Sequence, residues 1–358
     1  MQKNICIVTT SLGKGGAERS SAILSQMLSK IGYDVHVMIT KNDIDYNYSG
    51  KLFNLEKELG IKLTSFNKFK MLRSYFKSNN FDVIIDNRTR PSFFKEYVLY
   101  NFVFIAKRKI FVVRSYKLKN YFPQKKSLVK LLYKRPIKLV AVSKEIQKVI
   151  INEYKLDNCE QIYNPIDIKK VGELSNETIA INENFILFYG RIEEKVKNLS
   201  LLLNVYKSSV LPKRNIKLII IGNGQDVLFL KDKIRTLRLE DNVKYLPFIS
   251  NPFPYVKNAH FTVLTSKHEG FPRVLIESLA CGTPVISVNC KSGPKEIITH
   301  KHNGLLVENN NVKALADAMN SFVINKELYN HCKKNAKASV AKFSIDKISR
   351  EWEELLKH

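Results

Sequence analysis

Two glutamates, Glu269 and Glu277, are separated by seven residues and have the side chains to bind hydroxyl groups. An apolar, strand-like run, Phe261–Leu264, precedes them, and Pro272 favours a helix start between them because proline suits a first helical turn. Glu277 would lie inside that helix and could accept both hydroxyl groups of a ribose. Glu269 would lie on the loop and could accept hydroxyl groups of a sugar. The intervening turn, with amides directed at the same ligand, consists of Gly270, Phe271 and Pro272.

Two cations follow an earlier strand-like run, Phe185–Tyr189. Arg191 and Lys197 lie in the loop after this run, and a pair of positive charges there is suited to neutralising a diphosphate. Lys195 competes with Lys197 for the second place. The alternative is that these residues are ordinary surface cations of a loop, which fits either one alone better than the pair.

A third candidate is the glycine-rich segment that follows the first predicted strand, Ile5–Thr9. Gly15 and Gly16 would let the backbone approach a phosphate at the start of a helix, Ala17–Ile31, whose first amides lack partners. The segment matches neither G-x-G-x-x-G nor a Walker loop. A plain strand-to-helix turn is therefore the open alternative.

These loops must be held by a sheet, and short apolar runs alternate with helix-like segments through both halves of the chain. Continuous apolar strands alternating with helices indicate parallel sheets covered on both faces. Ligands of such sheets bind at the carboxyl ends of the strands. The remaining predicted strands are Val35–Ile39, Val83–Ile85, Ile110–Val113, Leu139–Val142, Ile216–Ile221, Val243–Leu246, Val285–Val288 and Leu305–Val307.

The alternation predicts an α/β protein with two doubly wound, Rossmann-like domains that face each other across a cleft. A chain of 358 residues is long enough for two, since single cores stop growing at about 250–300 residues. We expect a first domain at 1–165, a second at 166–343 and a C-terminal helix at 344–358 that packs back on the first. The ligand would lie between the domains.

In combination, these motifs resemble the retaining glycosyltransferases of family 4, which have the GT-B fold. The E-x7-E pair has the matching Gly-Phe-Pro context and precedes Ala-Cys-Gly-Thr-Pro-Val. The resemblance covers nearly the whole chain and is most specific in the second half. Its other parts are Gly190-Arg191, Lys197-Asn198, Gly15-Gly16-Ala17-Glu18 and Tyr163-Asn-Pro-Ile-Asp167.

The resemblance implies transfer of a sugar from a nucleotide diphosphate sugar, with uridine as the expected base and with retained configuration. It implies no cofactor and no metal, because Arg191 and Lys197 would stabilise the leaving diphosphate. Glu277 would bind the ribose, and Glu269 with Gly270, Phe271 and Pro272 would bind the donor sugar. Gly15 and Gly16 would close over the diphosphate from the other domain. Glu269, Arg191 and Lys197 are the expected catalytic residues.

The acceptor side is expected in the first domain. Many relatives have a histidine after its fourth or fifth strand, and here Arg114 follows the strand Ile110–Val113, so we expect Arg114 to replace that histidine unless the role is absent. Arg88 and Arg90 follow the strand Val83–Ile85 and are expected to meet an acceptor phosphate. The alternative for these two arginines is a salt-bridged helix start.

The chain is strongly basic, with 59 Lys and Arg against 33 Asp and Glu and a net charge of +26. Most of the excess falls in residues 1–165, and Tyr97–Lys144 contains no acidic residue at all. Within it, 124–135 predicts an amphipathic helix with leucines on one side, which is the pattern of a surface that lies on anionic lipid. A solvated basic face is the alternative. The lysines assigned to the membrane are Lys125, Lys126, Lys130 and Lys134.

Other functions fit less well. Asp43-Ile-Asp45 matches the D-x-D of metal-dependent glycosyltransferases but lies in a polar loop of the wrong architecture, so no metal site is expected. A nucleotide-sugar epimerase or another GT-B enzyme is the alternative function, while nucleic acid is excluded as a partner because no binding signature accompanies the charge.

No apolar run reaches the ~18 residues of a membrane-spanning helix, and the five cysteines include no C-x-x-C pair. We therefore expect a cytoplasmic enzyme, peripheral on the inner face of the membrane. Its acceptor would be a lipid-linked glycan or a surface polysaccharide such as lipopolysaccharide.

Overall fold

The computed structural model describes residues 3–13, 15–59, 65–133, 137–181 and 183–357. The chain divides into two compact units. The first unit comprises Met1–Pro165 together with Ile345–His358, and the second comprises Ile166–Ser344. Within the described ranges, no helix is both long enough and apolar enough to span a bilayer.

The first unit contains a parallel sheet whose described strands lie in the order β3-β2-β1-β4-β5-β6-β7. Its strands are β1 (Asn4–Thr9), β2 (Asp34–Ile39), β3 (Lys51–Asn54), β4 (Phe81–Asp86), β5 (Ala106–Val113), β6 (Lys138–Ala141) and β7 (Cys159–Gln161). Its helices are α1 (Gly16–Lys30), α2 (Leu55–Leu59), α3 (Ser65–Asn79), α4 (Phe93–Val98), α5 (Lys126–Leu132) and α6 (Lys144–Tyr154). A π-helical turn (Leu99–Val103) continues α4, and a 3-10 turn (Leu118–Asn120) precedes α5.

The second unit contains a parallel sheet in the order β10-β9-β8-β11-β12-β13. Its strands are β8 (Phe185–Tyr189), β9 (Lys217–Ile221), β10 (Val243–Leu246), β11 (Thr262–Leu264), β12 (Val285–Val288) and β13 (Gly304–Val307). Its helices are α7 (Ile168–Leu174), α8 (Glu194–Lys197), α9 (Leu199–Ser208), α10 (Val227–Thr236), α11 (Phe253–Asn258), α12 (Arg273–Ala280), α13 (Pro294–Ile297), α14 (Val312–Ile324) and α15 (Lys326–Ser339). Two 3-10 turns (Pro212–Arg214 and Ala341–Phe343) complete it in the described residues.

The central strands are apolar along their whole length because helices cover both faces of each sheet. In β8, every residue of Phe185–Tyr189 is buried, and the neighbouring β9 buries four of its five residues. Such strands have no solvent face that would require polar alternation. The predicted α/β class with two parallel, Rossmann-like sheets is confirmed, and every strand expected from the sequence is present to within a few residues.

The last helix, α16 (Ile345–Lys357), belongs to the first unit although it follows the whole second unit in the chain. It packs against α1 and buries Trp352 and Leu356. Arg108 of β5 donates hydrogen bonds to the carbonyls of Leu355 and Leu356 at 2.8 and 3.0 Å. These bonds satisfy carbonyl groups that a helix leaves without intrahelical partners at its end.

Two histidines make the stability of both units sensitive to acid. Burial lowers the pKa of His36, whose Nδ1 lies 2.9 Å from the hydroxyl oxygen of Tyr75, and the pKa of His260, whose Nε2 lies 3.0 Å from the carbonyl oxygen of Phe322. Below about pH 6.5 the unfolded chain therefore binds more protons than the folded one, and stability present at neutral pH is lost as the pH falls through the lowered pKa values.

We expect the fall in melting temperature between pH 7.5 and pH 5.5 to be smaller in a His36→Gln/His260→Gln protein than in the wild type. Thermal unfolding followed by circular dichroism at both pH values measures this difference. Substitution of His302, which is exposed, serves as the control and should leave the fall unchanged. An equal fall in the double variant and the wild type would contradict the assignment.

Candidate active site

The site of the second unit is built where its strand order reverses. β8 and β11 are neighbours at the middle of the sheet, and the chain continues outward from them in opposite directions. Their carboxyl ends lie at the same edge because the strands are parallel, with Leu187 paired to Thr262. A reversal of strand order opens a crevice at the sheet edge in doubly wound folds. The loops after β8 and β11 therefore carry the candidate residues to one place.

Lys197 and Glu269 meet in an ion pair between these two loops. Lys197 Nζ lies 2.7 Å from Glu269 Oε1, and the two side chains are 15% and 14% exposed. The Ser266 hydroxyl donates a 2.6 Å hydrogen bond to the same carboxylate oxygen, and the Thr265 hydroxyl donates to the Lys197 carbonyl at 2.8 Å. Lys195, the competing cation, is exposed. The structure thus joins Lys197, rather than Lys195, to the glutamate loop.

Arg191 lies on the same loop as Lys197 but at the surface. Its side chain is 61% exposed, and Nη1 is 3.6 Å from the Glu193 carboxylate. An exposed ion pair of this kind contributes little to stability. The guanidinium can therefore leave Glu193 for an anionic ligand at small cost.

Glu277 is held inside α12, which begins at Arg273 with Pro272 at its N-cap. The Glu277 carboxylate is 3% exposed, and Arg273 Nε donates to it at 3.2 Å from the preceding helical turn. The Tyr189 hydroxyl, at the end of β8, donates to the Val274 carbonyl at 2.8 Å. Burial and a cationic neighbour thus fix the position of Glu277. The helix that carries it begins next to Pro272, as predicted.

The turn between the two glutamates is anchored by its neighbours. The Ser292 hydroxyl donates to the Gly270 carbonyl at 2.7 Å, and the Glu269 amide donates to the Lys291 carbonyl at 2.8 Å. Phe271 is buried against Phe343, with ring centroids 5.1 Å apart. The side chain of Phe271 therefore belongs to the core, and only its backbone can serve the site.

The loop that carries Arg191 rests on a second glycine-containing loop, 222–224. Ile192 donates its amide to the Asn223 carbonyl at 2.8 Å. A Cβ atom at Gly222 would overlap the Gly190 carbonyl oxygen, and one at Gly224 would overlap the Ile192 carbonyl oxygen. These glycines are needed for close approach of two backbones.

We expect Gly224→Ala to destabilise the protein by about 2 kcal/mol because the added methyl group forces the two loops apart. Displacing the loop at 190–192 should also weaken binding of an anionic ligand by Arg191. Urea unfolding and ligand titration measure the two effects. Gly172→Ala is the control, since a Cβ there meets nothing within 4 Å. If the Gly224 variant is as stable as the wild type, the two loops can move apart without cost and the prediction is wrong.

In the first unit, Gly15 is the N-cap of α1 and Gly16 its first residue, so the helix begins one residue before the predicted start at Ala17. The loop before them is held by the segment that contains the D-x-D match. Leu12 accepts hydrogen bonds from the amides of Asp45 and Tyr46, and its own amide donates to the Asp43 carbonyl at 2.9 Å. Among the described residues, no group of three or more His, Cys, Asp or Glu side chains could hold a metal ion.

The structure contradicts the assignment of Arg88 and Arg90 to an acceptor phosphate. Arg90 is 0% exposed, and its guanidinium donates to the carbonyls of Asp86, Arg88 and Val112 at 2.6–3.1 Å. Arg88 is paired with the Asp86 carboxylate at 2.7 Å and with the Glu96 carboxylate at 3.0 Å. Both guanidinium groups are thus held by interior partners: Arg88 forms the ion pairs of the alternative, whereas Arg90 bonds to backbone carbonyls.

Arg114 lies at the end of β5 and joins two segments of the first unit. Its guanidinium donates to the Asn164 side-chain oxygen at 2.7 Å and to the Asn87 side-chain oxygen at 3.0 Å. Asn87 in turn donates to the Ser21 hydroxyl at 3.0 Å. This polar chain follows the carboxyl ends of β4 and β5, where a ligand of the first unit would be expected. The replacement of the family's histidine by Arg114 stays a prediction.

The basic helix is shorter than expected. α5 spans Lys126–Leu132, and the predicted leucine side is not a single face, since Leu131 is 46% exposed while Leu132 and Val129 are buried. The error arose because the apolar side of α5 is formed by Val129 and Leu132, three residues apart. Of the predicted membrane lysines, Lys125, Lys126 and Lys130 are exposed, and Lys134 lies outside the described residues.

Sequence reasoning missed the residues that hold the two glutamates. Ser266 bonds to Glu269 from three residues before it, and Arg273 pairs with Glu277 from four residues before it. The second pair was detectable, since residues four apart share one face of a helix. The first depends on loop geometry, for which the sequence contains no periodic signal.

Comparison with known proteins identifies relatives over the whole chain. Residues 14–170 match the family Glycosyltransferase Family 4, and residues 173–339 match Glycosyl transferases group 1. A Campylobacter jejuni protein, N-acetylgalactosamine-N,N'-diacetylbacillosaminyl-diphospho-undecaprenol 4-alpha-N-acetylgalactosaminyltransferase, is 31% identical, with 98% of each chain covered. The amylovoran biosynthesis glycosyltransferase AmsD of Erwinia amylovora is 24% identical over 99% of this chain and 100% of its own.

Solved structures share the fold. A TarM variant from S. aureus, in complex with fondaparinux, α-GlcNAc-glycerol and UDP, superposes with a TM-score of 0.80 at 16% identity, covering all of both chains. HepE from Anabaena, in complex with UDP, gives a TM-score of 0.76 at 19% identity, again over all of both chains. The fold is therefore the predicted GT-B fold. The two family matches, together with 31% identity to the C. jejuni enzyme over nearly the full length of both chains, show that the chain is a glycosyltransferase and belongs to family 4.

Proposed function

We propose that this glycosyltransferase moves a sugar from a nucleotide diphosphate sugar, with uridine as the base, to a glycan acceptor and retains the anomeric configuration. The observation that carries the proposal is the Lys197–Glu269 ion pair beside the strand reversal of the second unit. A cation and a carboxylate that could accept hydroxyl groups lie 2.7 Å apart in this pair, which supports the proposal. A diphosphate sugar presents negative charge and hydroxyl groups close to the bond that breaks, and these two side chains are suited to them.

The leaving diphosphate is the centre of the proposed chemistry. As the glycosidic bond to it breaks, negative charge grows on the phosphate oxygens, and fixed cations lower the energy of that transition state. Lys197 and Arg191 supply this charge in the proposed site, so that no metal ion or other cofactor is needed. Lys197 is held by Glu269 and requires little reorganisation, whereas the exposed Arg191 closes on the ligand when it binds.

The two glutamates bind different parts of the donor. Glu277, fixed by Arg273 inside α12, accepts the two ribose hydroxyl groups, which is a geometry that a carboxylate offers with its two oxygens. Glu269 accepts hydroxyl groups of the donor sugar, and the backbone of Gly270, Phe271 and Pro272 lines the same sugar. The assignment of Gly15 and Gly16 to the diphosphate rests on the family resemblance and the helix N-terminus they form.

The acceptor we propose is a lipid-linked glycan or a growing surface polysaccharide. The C. jejuni relative acts on an undecaprenol-linked diphospho-glycan, as its name states, and AmsD serves amylovoran biosynthesis. An acceptor of this kind would bring the enzyme to the cytoplasmic face of a membrane, where the exposed lysines Lys125, Lys126 and Lys130 meet anionic headgroups. Nucleic acid is not part of the proposal.

A panel of nucleotides and nucleotide sugars in a thermal-shift assay tests the donor, because a ligand that binds only the folded protein raises its melting temperature. We expect UDP and UDP-sugars to stabilise the protein in the presence of EDTA. Nuclear magnetic resonance of the transferred sugar then reports the anomeric configuration. An inverted product, loss of transfer in EDTA, or epimerisation of the donor without acceptor would each overturn a named part of the proposal.

A further inference from the structure

The helical segment 93–103 of the first unit has an apolar face that points to solvent. Its exposed positions follow helical spacing along α4 and the π-helical turn. Phe94 is 81% exposed and Phe102 is 48% exposed, and between them lie Tyr97 at 38% and Val98 at 41%. A surface helix normally turns such residues inward. Here they form a contiguous apolar strip on the outside.

The opposite side of this segment shows that the orientation is fixed by the interior. Glu96 is 1% exposed and its carboxylate pairs with Arg88 at 3.0 Å, while Tyr100 and Val103 are buried beside it. Burial raises the pKa of Glu96, and the Arg88 guanidinium opposes that shift. Turning the aromatic residues inward would expel this buried ion pair. Breaking such a pair is strongly destabilising, so the apolar strip is held outward.

Cations border the strip on elements that pack against it. α5 packs against α4 and adds the exposed Leu131 with Lys125, Lys126 and Lys130. Arg73 of α3 donates to the Phe102 carbonyl, and Lys95 is exposed on α4 beside the strip. In the described residues of α3, α4 and α5, the only carboxylate is that of the buried Glu96. These elements therefore present aromatic groups and positive charge with no exposed negative charge.

We propose that this aromatic–basic face, formed by Phe94, Tyr97, Val98, Phe102 and Leu131 with Lys95, Lys125, Lys126 and Lys130, inserts into the headgroup region of a bilayer containing anionic lipid. Charge complementarity selects the bilayer, because cations attract the anionic headgroups. Aromatic and aliphatic side chains then enter the acyl boundary, as in interfacial helices. The inference deepens the proposed function, since it names how a lipid-linked acceptor is reached, and it shifts the main anchor from α5 to the segment 93–103.

Sedimentation with lipid vesicles tests the proposal. We expect the wild type to bind vesicles of phosphatidylcholine with phosphatidylglycerol, to bind pure phosphatidylcholine weakly, and to lose binding as salt rises. Phe94→Ser/Phe102→Ser should weaken binding to the anionic vesicles at least about tenfold, given the apolar area removed. Leu228→Ser is the matched control, since Leu228 is also 81% exposed but lies on the second unit.

Two triple variants test the contribution of positive charge to vesicle binding. Lys125→Gln/Lys126→Gln/Lys130→Gln should abolish the preference for anionic vesicles, whereas Lys207→Gln/Lys326→Gln/Lys334→Gln, at exposed positions of the second unit, should retain it. Unchanged binding of the Phe94/Phe102 variant overturns the insertion of the strip. An equal loss of vesicle binding in the Leu228 variant also overturns it. So does the finding that Phe94 and Phe102 bind a soluble protein and not lipid.

A fluorescent variant removes any ambiguity from misfolding. Phe94→Trp should shift its emission to shorter wavelength on vesicles and be quenched by brominated lipid, while the native Trp352, which is buried, stays unquenched. Absence of quenching at position 94 overturns the proposal. UDP should still raise the melting temperature of the Phe94/Phe102 variant. Because this rise reports the proposed donor site in the second unit whatever the vesicles show, it separates a failure of the membrane proposal from a failure of the proposed function.

Discussion

Replacing Lys197 by alanine is expected to lower kcat for sugar transfer by about 10²–10³-fold, the range found when one fixed electrostatic donor to a transition state is removed. The lysine contacts Glu269 at 2.7 Å in a largely buried pair. Its loss removes the cation from the proposed diphosphate site and leaves the Ser266 hydroxyl as the side-chain partner of the Glu269 carboxylate among the residues that the structure describes. Steady-state transfer of a radiolabelled sugar at saturating donor measures the effect.

Lys195→Ala is the matched control for this experiment. It removes the same charge from the same short helix, α8, at an exposed position, and should leave kcat within about twofold of wild type. Lys197→Arg keeps the charge and should retain part of the rate. Wild-type transfer by the Lys197→Ala protein, with a normal melting temperature, would sink the assignment of this lysine to catalysis.

Replacing Glu277 by alanine should raise KM for the donor by about 100-fold, since it removes two hydrogen bonds from a charged acceptor. The same change leaves the Arg273 guanidinium, 8% exposed, without this carboxylate. We therefore also expect some loss of stability, which chemical denaturation would measure. Donor titration by calorimetry separates the binding effect from the loss of folded protein.

The ribose assignment can be tested on the ligand as well as on the protein. A 2′-deoxy donor should bind the wild type more weakly than the ribose donor, and this preference should vanish in the Glu277→Ala protein. Glu240→Ala, at an exposed turn of the second unit, should leave both affinities unchanged. If the variant still prefers the ribose donor to the same degree, Glu277 does not bind the hydroxyl groups.

The central strands of each sheet could be predicted because they are buried on both faces and therefore mostly apolar. β8 and β12, in which every residue is buried, have the bounds expected from the sequence. The strands that escaped prediction, β3 and β7, lie at the two edges of the first sheet. β7 consists of Cys-Glu-Gln and β3 of Lys-Leu-Phe-Asn, so neither of these edge strands contains an apolar run that would mark it.

The interior charges of the first unit could not be predicted. Arg90 is wholly buried, although arginine is almost never found there without partners, and its partners are backbone carbonyls that carry no sequence signature. From the sequence, Arg88 and Arg90 were predicted to contact a ligand, because an arginine that follows a strand can either bind a ligand or pair with interior groups. The outward aromatic strip escaped for the same reason, since only the buried Glu96 decides which face of α4 turns inward.

The return of α16 to the first unit has a consequence for synthesis on the ribosome. Translation at about 5–20 residues per second separates the end of β7 from the end of α16 by roughly 10–40 s. During that interval the second unit, a continuous segment, is completed, while the surface of α1 that α16 covers remains open on the nascent chain. The unit that begins first thus closes last, and chaperones would meet it as an unfinished domain.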